Sequence, residues 1–123
     1  MRALIVDDDP DFRHLLKDLM TPKGINVDLA KDGLVGLLKA KREYYDIILL
    51  DIKMPSMDGE KVLNVLHKLK KTIPIIVISG YLTKELLLKL KEYGVKAFLT
   101  KPVNPEMIFQ TINQVCGTDY TSD

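Results

Sequence analysis

The sequence predicts an α/β domain: a doubly wound parallel sheet of five strands with helices on both faces. Apolar residues switch repeatedly between short unbroken runs, which suit strands covered on both sides, and recurrences three and four residues apart, which suit amphipathic helices. Five strand-then-helix units in strict alternation make a parallel sheet with right-handed crossovers the economical arrangement. The 123 residues are expected to hold one such domain and no second one.

Three strands are the β-branched-rich runs Ala3 to Val6, Ile47 to Leu50 and Ile75 to Ile78. Two weaker ones alternate, with Ile25, Val27 and Leu29 against Asn26 and Asp28, and with Val95, Ala97 and Leu99 against Lys96, Phe98 and Thr100. Alternation suits strands with less cover, which places these two at the sheet edges. Helical spacing links Phe12, Leu15, Leu16 and Leu19, then Leu34, Leu37 and Leu38, then Val62, Leu63, Leu66 and Leu69. It returns in Leu86, Leu87, Leu90 and Tyr93, and finally in Ile108, Ile112 and Val115. Asp9 before Pro10 and Asn104 before Pro105 read as N-caps, while Gly24 and Gly94 stand where the first and fourth helices should stop. The polar stretch from Gly117 to Asp123 reads as unstructured.

Composition excludes several function classes. Eighteen Lys and Arg against seventeen Asp and Glu leave a net charge of +1, too little for a field that draws nucleic acid or an anionic membrane. The pure apolar runs fall far short of the roughly 18 residues of a membrane helix. The one cysteine, Cys116, has no partner for an internal disulfide. A cytoplasmic location is the expectation.

Ligands of open parallel sheets bind beyond the carboxyl ends of the strands. There the chain carries Asp7-Asp8-Asp9, Asp51, Ser79-Gly80 and Thr100-Lys101-Pro102. Crowded carboxylates repel, and a hard divalent cation relieves them. Mg²⁺ suits this better than zinc, since neither His14 nor His67 sits at a strand end. Lys101 and Ser79 offer a point charge and a hydroxyl to the oxygens of a phosphoryl group. No G-x-x-x-x-G-K-[ST] loop cradles a nucleotide. Asp51 is then the economical nucleophile, giving an acyl phosphate.

These residues resemble the receiver domain of two-component response regulators, from Arg2 to about Cys116. Leu4-Ile5-Val6-Asp7-Asp8 is similar to that family's acidic-pair strand. Leu50-Asp51-Ile52-Lys53-Met54-Pro55-Ser56-Met57-Asp58-Gly59 is similar to its phosphorylation loop, and Ser79-Gly80 and Lys101-Pro102 fall at the expected spacings. The resemblance implies a flavodoxin-like sheet of strand order 2-1-3-4-5, with the receiver over residues 1–117 and a polar tail over 118–123. It implies that Asp51 accepts a phosphoryl group from a phosphohistidine on a histidine kinase or a histidine phosphotransfer protein. Asp8 and Asp51 would bind Mg²⁺, or Mn²⁺, through their carboxylates, Lys53 through its backbone carbonyl, and Asp7 through a water. Lys101 would pair with the phosphoryl group, and the Lys101–Pro102 peptide would be cis. Ser79 would swing toward the phosphoryl oxygen and leave room for Phe98 to turn inward. That switch would act on a downstream effector or a second copy through the fourth helix, fifth strand and fifth helix.

Four positions depart from the family's commonest pattern or tune it. Phe98 stands in place of tyrosine, so an inward state must be held by packing alone. Gly80 replaces a small residue such as alanine. Lys53 and Tyr81 occupy two variable positions that, by the resemblance, tune the access of water to the acyl phosphate, and a cationic Lys53 with a bulky Tyr81 resembles receivers of the sporulation phosphorelay and of nitrogen-regulator-like transcription factors.

Taken singly, the same residues have plainer readings. Asp9 is a helix cap, Asp51 with Asp58-Gly59 a strand end and turn, Ser79 and Lys101 loop residues, and Phe98 packing. Cys116 reads as inert, and Met54 and Met57 as loop packing. Convergence of four motifs outweighs these readings for Asp51, Ser79 and Lys101. Leu82 and Leu88 lack an obvious burial site and mark a partner surface on the fourth helix, while Asp11, His14 and Leu15 mark a docking face for the kinase. Two other functions compete. A Mg²⁺-dependent aspartyl-phosphate phosphatase would carry a second aspartate where Lys53 stands, and a receiver that only binds a partner would lack part of the acid, Lys and Ser set. The expectation is a phosphorylatable switch, not an enzyme with a separate substrate.

Overall fold

The computed structural model describes residues 1–54 and 57–123; Pro55 and Ser56, within the loop motif quoted above, lie outside the described residues. The strands are Arg2–Val6 (β1), Asn26–Ala30 (β2), Ile47–Leu50 (β3), Ile75–Ser79 (β4) and Ala97–Thr100 (β5). The helices are Pro10–Met20 (α1), Gly33–Arg42 (α2), Gly59–Lys68 (α3), Lys84–Glu92 (α4) and Pro105–Cys116 (α5). All strand pairs are parallel and the order is β2-β1-β3-β4-β5, so the two alternating strands lie at the edges as expected.

Pleating sends alternate residues of each strand to opposite faces. Leu4, Val6, Ile48, Leu50 and Val77 join Leu37, Val62, Leu63 and Leu90, so α2, α3 and α4 cover one face. Ala3, Ile5, Leu49, Ile76 and Ile78 join Leu16, Phe109 and Ile112, so α1 and α5 cover the other. Burying one Leu, Ile or Phe contributes about 1.5–3 kcal/mol, and β1, β3 and β4 are buried along nearly their whole length. That cover makes the central strands a rigid platform for whatever projects from their carboxyl ends.

Helix starts follow side-chain capping. Asp9, Asp32, Asp58, Thr83 and Asn104 each accept a hydrogen bond from a backbone N–H in the first turn, each worth about 1 kcal/mol. Gly94 takes the left-handed φ of +82° after α4.

Several boundaries differ from the sequence reading. Gly24 ends a 3₁₀ turn, Thr21–Lys23, and α1 itself stops earlier, at Met20. The core face of α2 is Gly33, Gly36, Leu37 and Ala40, which leaves Leu34 and Leu38 exposed. Gly36 permits this: a Cβ there would lie 2.8 Å from the Val6 side chain, so the helix approaches the sheet closely along its glycines. In α1 only Leu16 and Met20 are buried and Leu15 is exposed, because the helix covers the sheet with one narrow stripe. The C-terminal stretch is also more ordered than its polarity indicates. Asn113 accepts from the Tyr120 N–H at 2.9 Å and from the Thr118 hydroxyl at 2.7 Å, and donates to the Tyr120 carbonyl at 2.7 Å. The Tyr120 ring packs beside Phe109, with centroids 6.4 Å apart. No helix among the described residues is long and apolar enough to cross a membrane.

Candidate functional site

β1 and β3 are adjacent and in register, Val6 opposite Leu50, so the residues that follow them emerge side by side. Asp51 stays tied to the sheet, its N–H donating to the Val6 carbonyl at 2.9 Å. Carboxylate oxygens of Asp7, Asp8 and Asp51 consequently lie within 4.8 Å of one another, with Asp7 and Asp51 buried and Asp8 exposed.

Neighbouring elements hold this cluster in place. The Asp9 N–H donates to Asp7 Oδ1 at 2.9 Å, and the Arg13 guanidinium donates to the Asp7 carbonyl at 2.7 Å. From the far side, Lys101 follows β5 and extends its ammonium between the two buried acids, 2.8 Å from Asp7 Oδ2 and 3.5 Å from Asp51 Oδ2. The Lys101–Pro102 peptide is cis, as the resemblance implied. A ring completes the Lys101 environment, for Phe12 on α1 places its centroid 4.4 Å from Nζ. Sequence reasoning assigned Phe12 to the core stripe alone. Its position one helical turn after the acidic strand end was the available signal.

Gly59 lets α3 begin against the site. A Cβ there would stand 2.4 Å from the Asp51 carbonyl oxygen, and the Gly59 N–H donates to the Ile52 carbonyl at 2.7 Å. The Asp58-Gly59 pair therefore does two things, capping α3 and allowing its close approach to the Asp51 backbone.

Electrostatics follow from burial and crowding. Burial pushes the Asp51 carboxyl above the ordinary carboxylate range, Lys101 pulls it down, Asp7 pushes it further up, and the N–H groups of Ile52 and Lys53 pull it down; the net direction is up. For Lys101, burial works against the ammonium, yet the hydrogen bond to Asp7 and the charges of Asp51 and Asp7 outweigh it, so its pKa is raised. Three carboxylates and one ammonium form an anionic pocket whose carboxylate oxygens suit a hard cation, with the exposed Asp8 on its open side.

The other candidate residues sit around this centre. Ser79 is buried at the end of β4, and its hydroxyl faces its own loop, accepting from the Tyr81 N–H at 3.3 Å. Lys53 is exposed and lays its Nζ 4.6 Å from the centroid of the Tyr81 ring, so the two variable positions touch across the mouth of the site. Phe98 is half-buried on the α3 and α4 side of the sheet. Gly80 has an ordinary φ and open space where a Cβ would be. Asp11, His14 and Leu15 are exposed on α1. Leu88 is 57% exposed on α4, but Leu82 is half-buried and packs on the core under α4, which corrects its reading as an unburied residue.

Comparison with known proteins agrees with this geometry. The family model described as "Response regulator receiver domain" matches residues 3–113. The chain is 33% identical over 110 residues to the transcriptional regulatory protein GlrR of Escherichia coli (strain K12), covering 89% of this chain and 25% of that protein. It is 34% identical over 112 residues to the sensor histidine kinase RcsC of the same organism, covering 91% of this chain and 12% of that protein. The chain thus spans a quarter or less of these two relatives. Among solved structures, the CheX–CheY–BeF₃–Mg²⁺ complex from Borrelia burgdorferi matches with a TM-score of 0.89 and 33% identity, covering 94% of this chain and 88% of that one.

Proposed function

The chain belongs to the response regulator receiver domain family of two-component phosphorelay signalling, and we propose that Asp51 is its phosphoacceptor. The observation that carries this reading is the placement of the Lys101 ammonium between Asp7 and Asp51, 2.8 and 3.5 Å away. A phosphoryl group on Asp51 would meet this cation without any long movement of the lysine chain.

In the proposed reaction a carboxylate oxygen of Asp51 attacks the phosphorus of a phosphohistidine on a kinase or phosphotransfer protein. The P–N bond breaks as the P–O bond forms, and the histidine nitrogen leaves with its electron pair. Lys101 stabilises the charge on the phosphoryl oxygens, Asp7 orients Lys101, and Phe12 shields one side of the ammonium from water. The carboxylates of Asp8 and Asp51, the Lys53 backbone carbonyl and a water on Asp7 are the proposed holders of Mg²⁺ or Mn²⁺, a cation that supplies charge neutralisation when bound. Ser79 exchanges its weak loop contact for a phosphoryl oxygen. Phe98 then packs inward, altering the face of α4, β5 and α5, where Leu88 meets an effector or a second copy. Lys53 and Tyr81 form a movable cover that sets the rate of water attack. The chain assists its own loading and hydrolysis and acts on no separate substrate.

Incubation with a small phosphodonor and Mg²⁺, followed by intact mass, tests this reading. One phosphoryl adduct is expected in the wild type and none in Asp51→Asn; an adduct of equal yield in both would overturn the assignment.

A further inference from the structure

The edge of the sheet opposite the acidic site carries a second charged feature. Two depressions meet there along Lys71, Thr72 and Ile73, the segment that leads into β4. One, of about 330 Å³, lies between the end of α2 and the turn after α3 and is edged by Lys41, Arg42, Lys70 and Lys71. The other, of about 220 Å³, lies over the buried Leu63, Leu66 and Ile75, has the half-buried Ile73 and Tyr93 as its accessible apolar floor, and is rimmed by Lys71, Lys96 and His67.

Five cations thus surround one continuous groove in a chain whose net charge is only +1. None of the five forms an ion pair among the described residues. The acid beside them, Glu43, is already engaged by Arg2 at 2.9 Å and by the Tyr45 hydroxyl at 3.1 Å. Favourable placement at helix C-termini accounts for Lys41 and Arg42. It extends to Lys70 and Lys71, whose N–H groups close the end of α3, but not to Lys96, which lies between α4 and β5. Lys70 moreover holds a left-handed φ of +55°, the conformation in which glycine is the unstrained residue. The turn that imposes it is closed by Lys70 N–H to the His67 carbonyl and Lys71 N–H to the Leu66 carbonyl, both 3.0 Å. Lysine thus stands at that rim where the backbone favours glycine.

We propose that this groove binds an acidic segment of a partner protein, one with an apolar side chain between its carboxylates. The half-buried Ile73 and Tyr93 take the side chain, the five cations take the acids, and the exposed Tyr44 beside Arg42 adds an amphipathic contact. A nucleic-acid backbone fits less well, because it would leave that floor unfilled and the whole-chain field is weak. A second copy fits less well too, since Asp7 and Asp51 of its acidic site are buried, and the exposed Asp8 and Asp9 are adjacent in sequence with no apolar side chain between them.

The test is a fluorescence-anisotropy titration of the full chain with a labelled peptide rich in Asp and Glu around a central Leu. Lys70→Gly is the informative variant, because it relieves the left-handed backbone while removing a cation. It is expected to melt no lower than wild type and yet to bind more weakly, and Lys71→Glu and Lys96→Glu should each weaken binding roughly fivefold. Affinity should fall as NaCl rises from about 50 to about 300 mM. The proposal is overturned if the peptide does not bind, if the three lysine variants bind unchanged, or if a thymidine oligonucleotide or self-association outcompetes the peptide.

Discussion

Replacing Asp51 by Asn should stabilise the metal-free protein, and the structure gives the size of the effect. Oxygens of Asp51 and Asp7 lie no more than 4.8 Å apart, so at an effective dielectric of about 20 their repulsion is at least about 3.5 kcal/mol. The Lys101 ammonium, 3.5 Å from Asp51, returns about 4.7 kcal/mol on the same scale. These terms nearly cancel, and the remaining cost is desolvation of a carboxylate that is 7% exposed, several kcal/mol for a buried ion. A net penalty of about 1–2 kcal/mol follows, in the direction of the raised Asp51 pKa. Asn keeps the shape, and Lys101 keeps its contact with Asp7 at 2.8 Å, so no charge is orphaned. The expected gain in melting temperature is about 4–8 °C in EDTA at neutral pH. Its pH dependence has a definite sign. Because the folded pKa is raised, the wild type loses stability as pH rises through that folded value, so the advantage of Asn is full above it and vanishes below the ordinary value of 3.8. Thermal melts of both proteins at pH 3.5–8 read this directly. A wild type that melts above Asp51→Asn at neutral pH without metal would refute the charge-crowding argument.

Three other perturbations probe separate parts of the site. Mg²⁺ at about ten times its Kd should stabilise the wild type by about 1.4 kcal/mol, and Asp8→Asn should lose most of that gain in urea melts; equal gains would remove Asp8 from the cation site. Phe12→Leu should slow phosphorylation by a small donor roughly twofold to fivefold, the worth of one cation–π contact, and unchanged kinetics would confine the ring to packing. Gly59→Ala should cost about 1–3 kcal/mol in urea unfolding through overpacking, since its Cβ would meet the Asp51 carbonyl oxygen at 2.4 Å; an unchanged midpoint would mean that the close approach is dispensable.

The strand runs and the acidic centre were legible in the sequence because they rest on local rules. Ile47 to Leu50 is apolar without interruption, so both its faces must be covered, and a polar residue next in line must stand at the carboxyl edge. Asp7, Asp51 and Lys101 meet for that reason. What escaped depends on packing between elements. Periodicity could not tell that α2 turns Gly33 and Gly36 inward and Leu34 outward, because close approach to Val6 overrides side-chain hydrophobicity there. Leu82 precedes α4, outside its helical period, and so its burial against the core could not be read from spacing. Likewise Asn113 orders a polar tail through hydrogen bonds that composition does not encode. The Phe12 ring reaches Lys101 from α1, a contact that its place in the apolar stripe of that helix did not reveal although it follows the acidic strand end by one turn.

Borohydride trapping is the most direct probe of the central assignment. An acyl phosphate on an aspartate is reduced to homoserine, and peptide sequencing by mass spectrometry then locates it. After incubation with phosphodonor and Mg²⁺, homoserine is expected at position 51 and nowhere else. Homoserine at position 7, 8 or 9, or none in a protein that carries a phosphoryl adduct, would contradict the account.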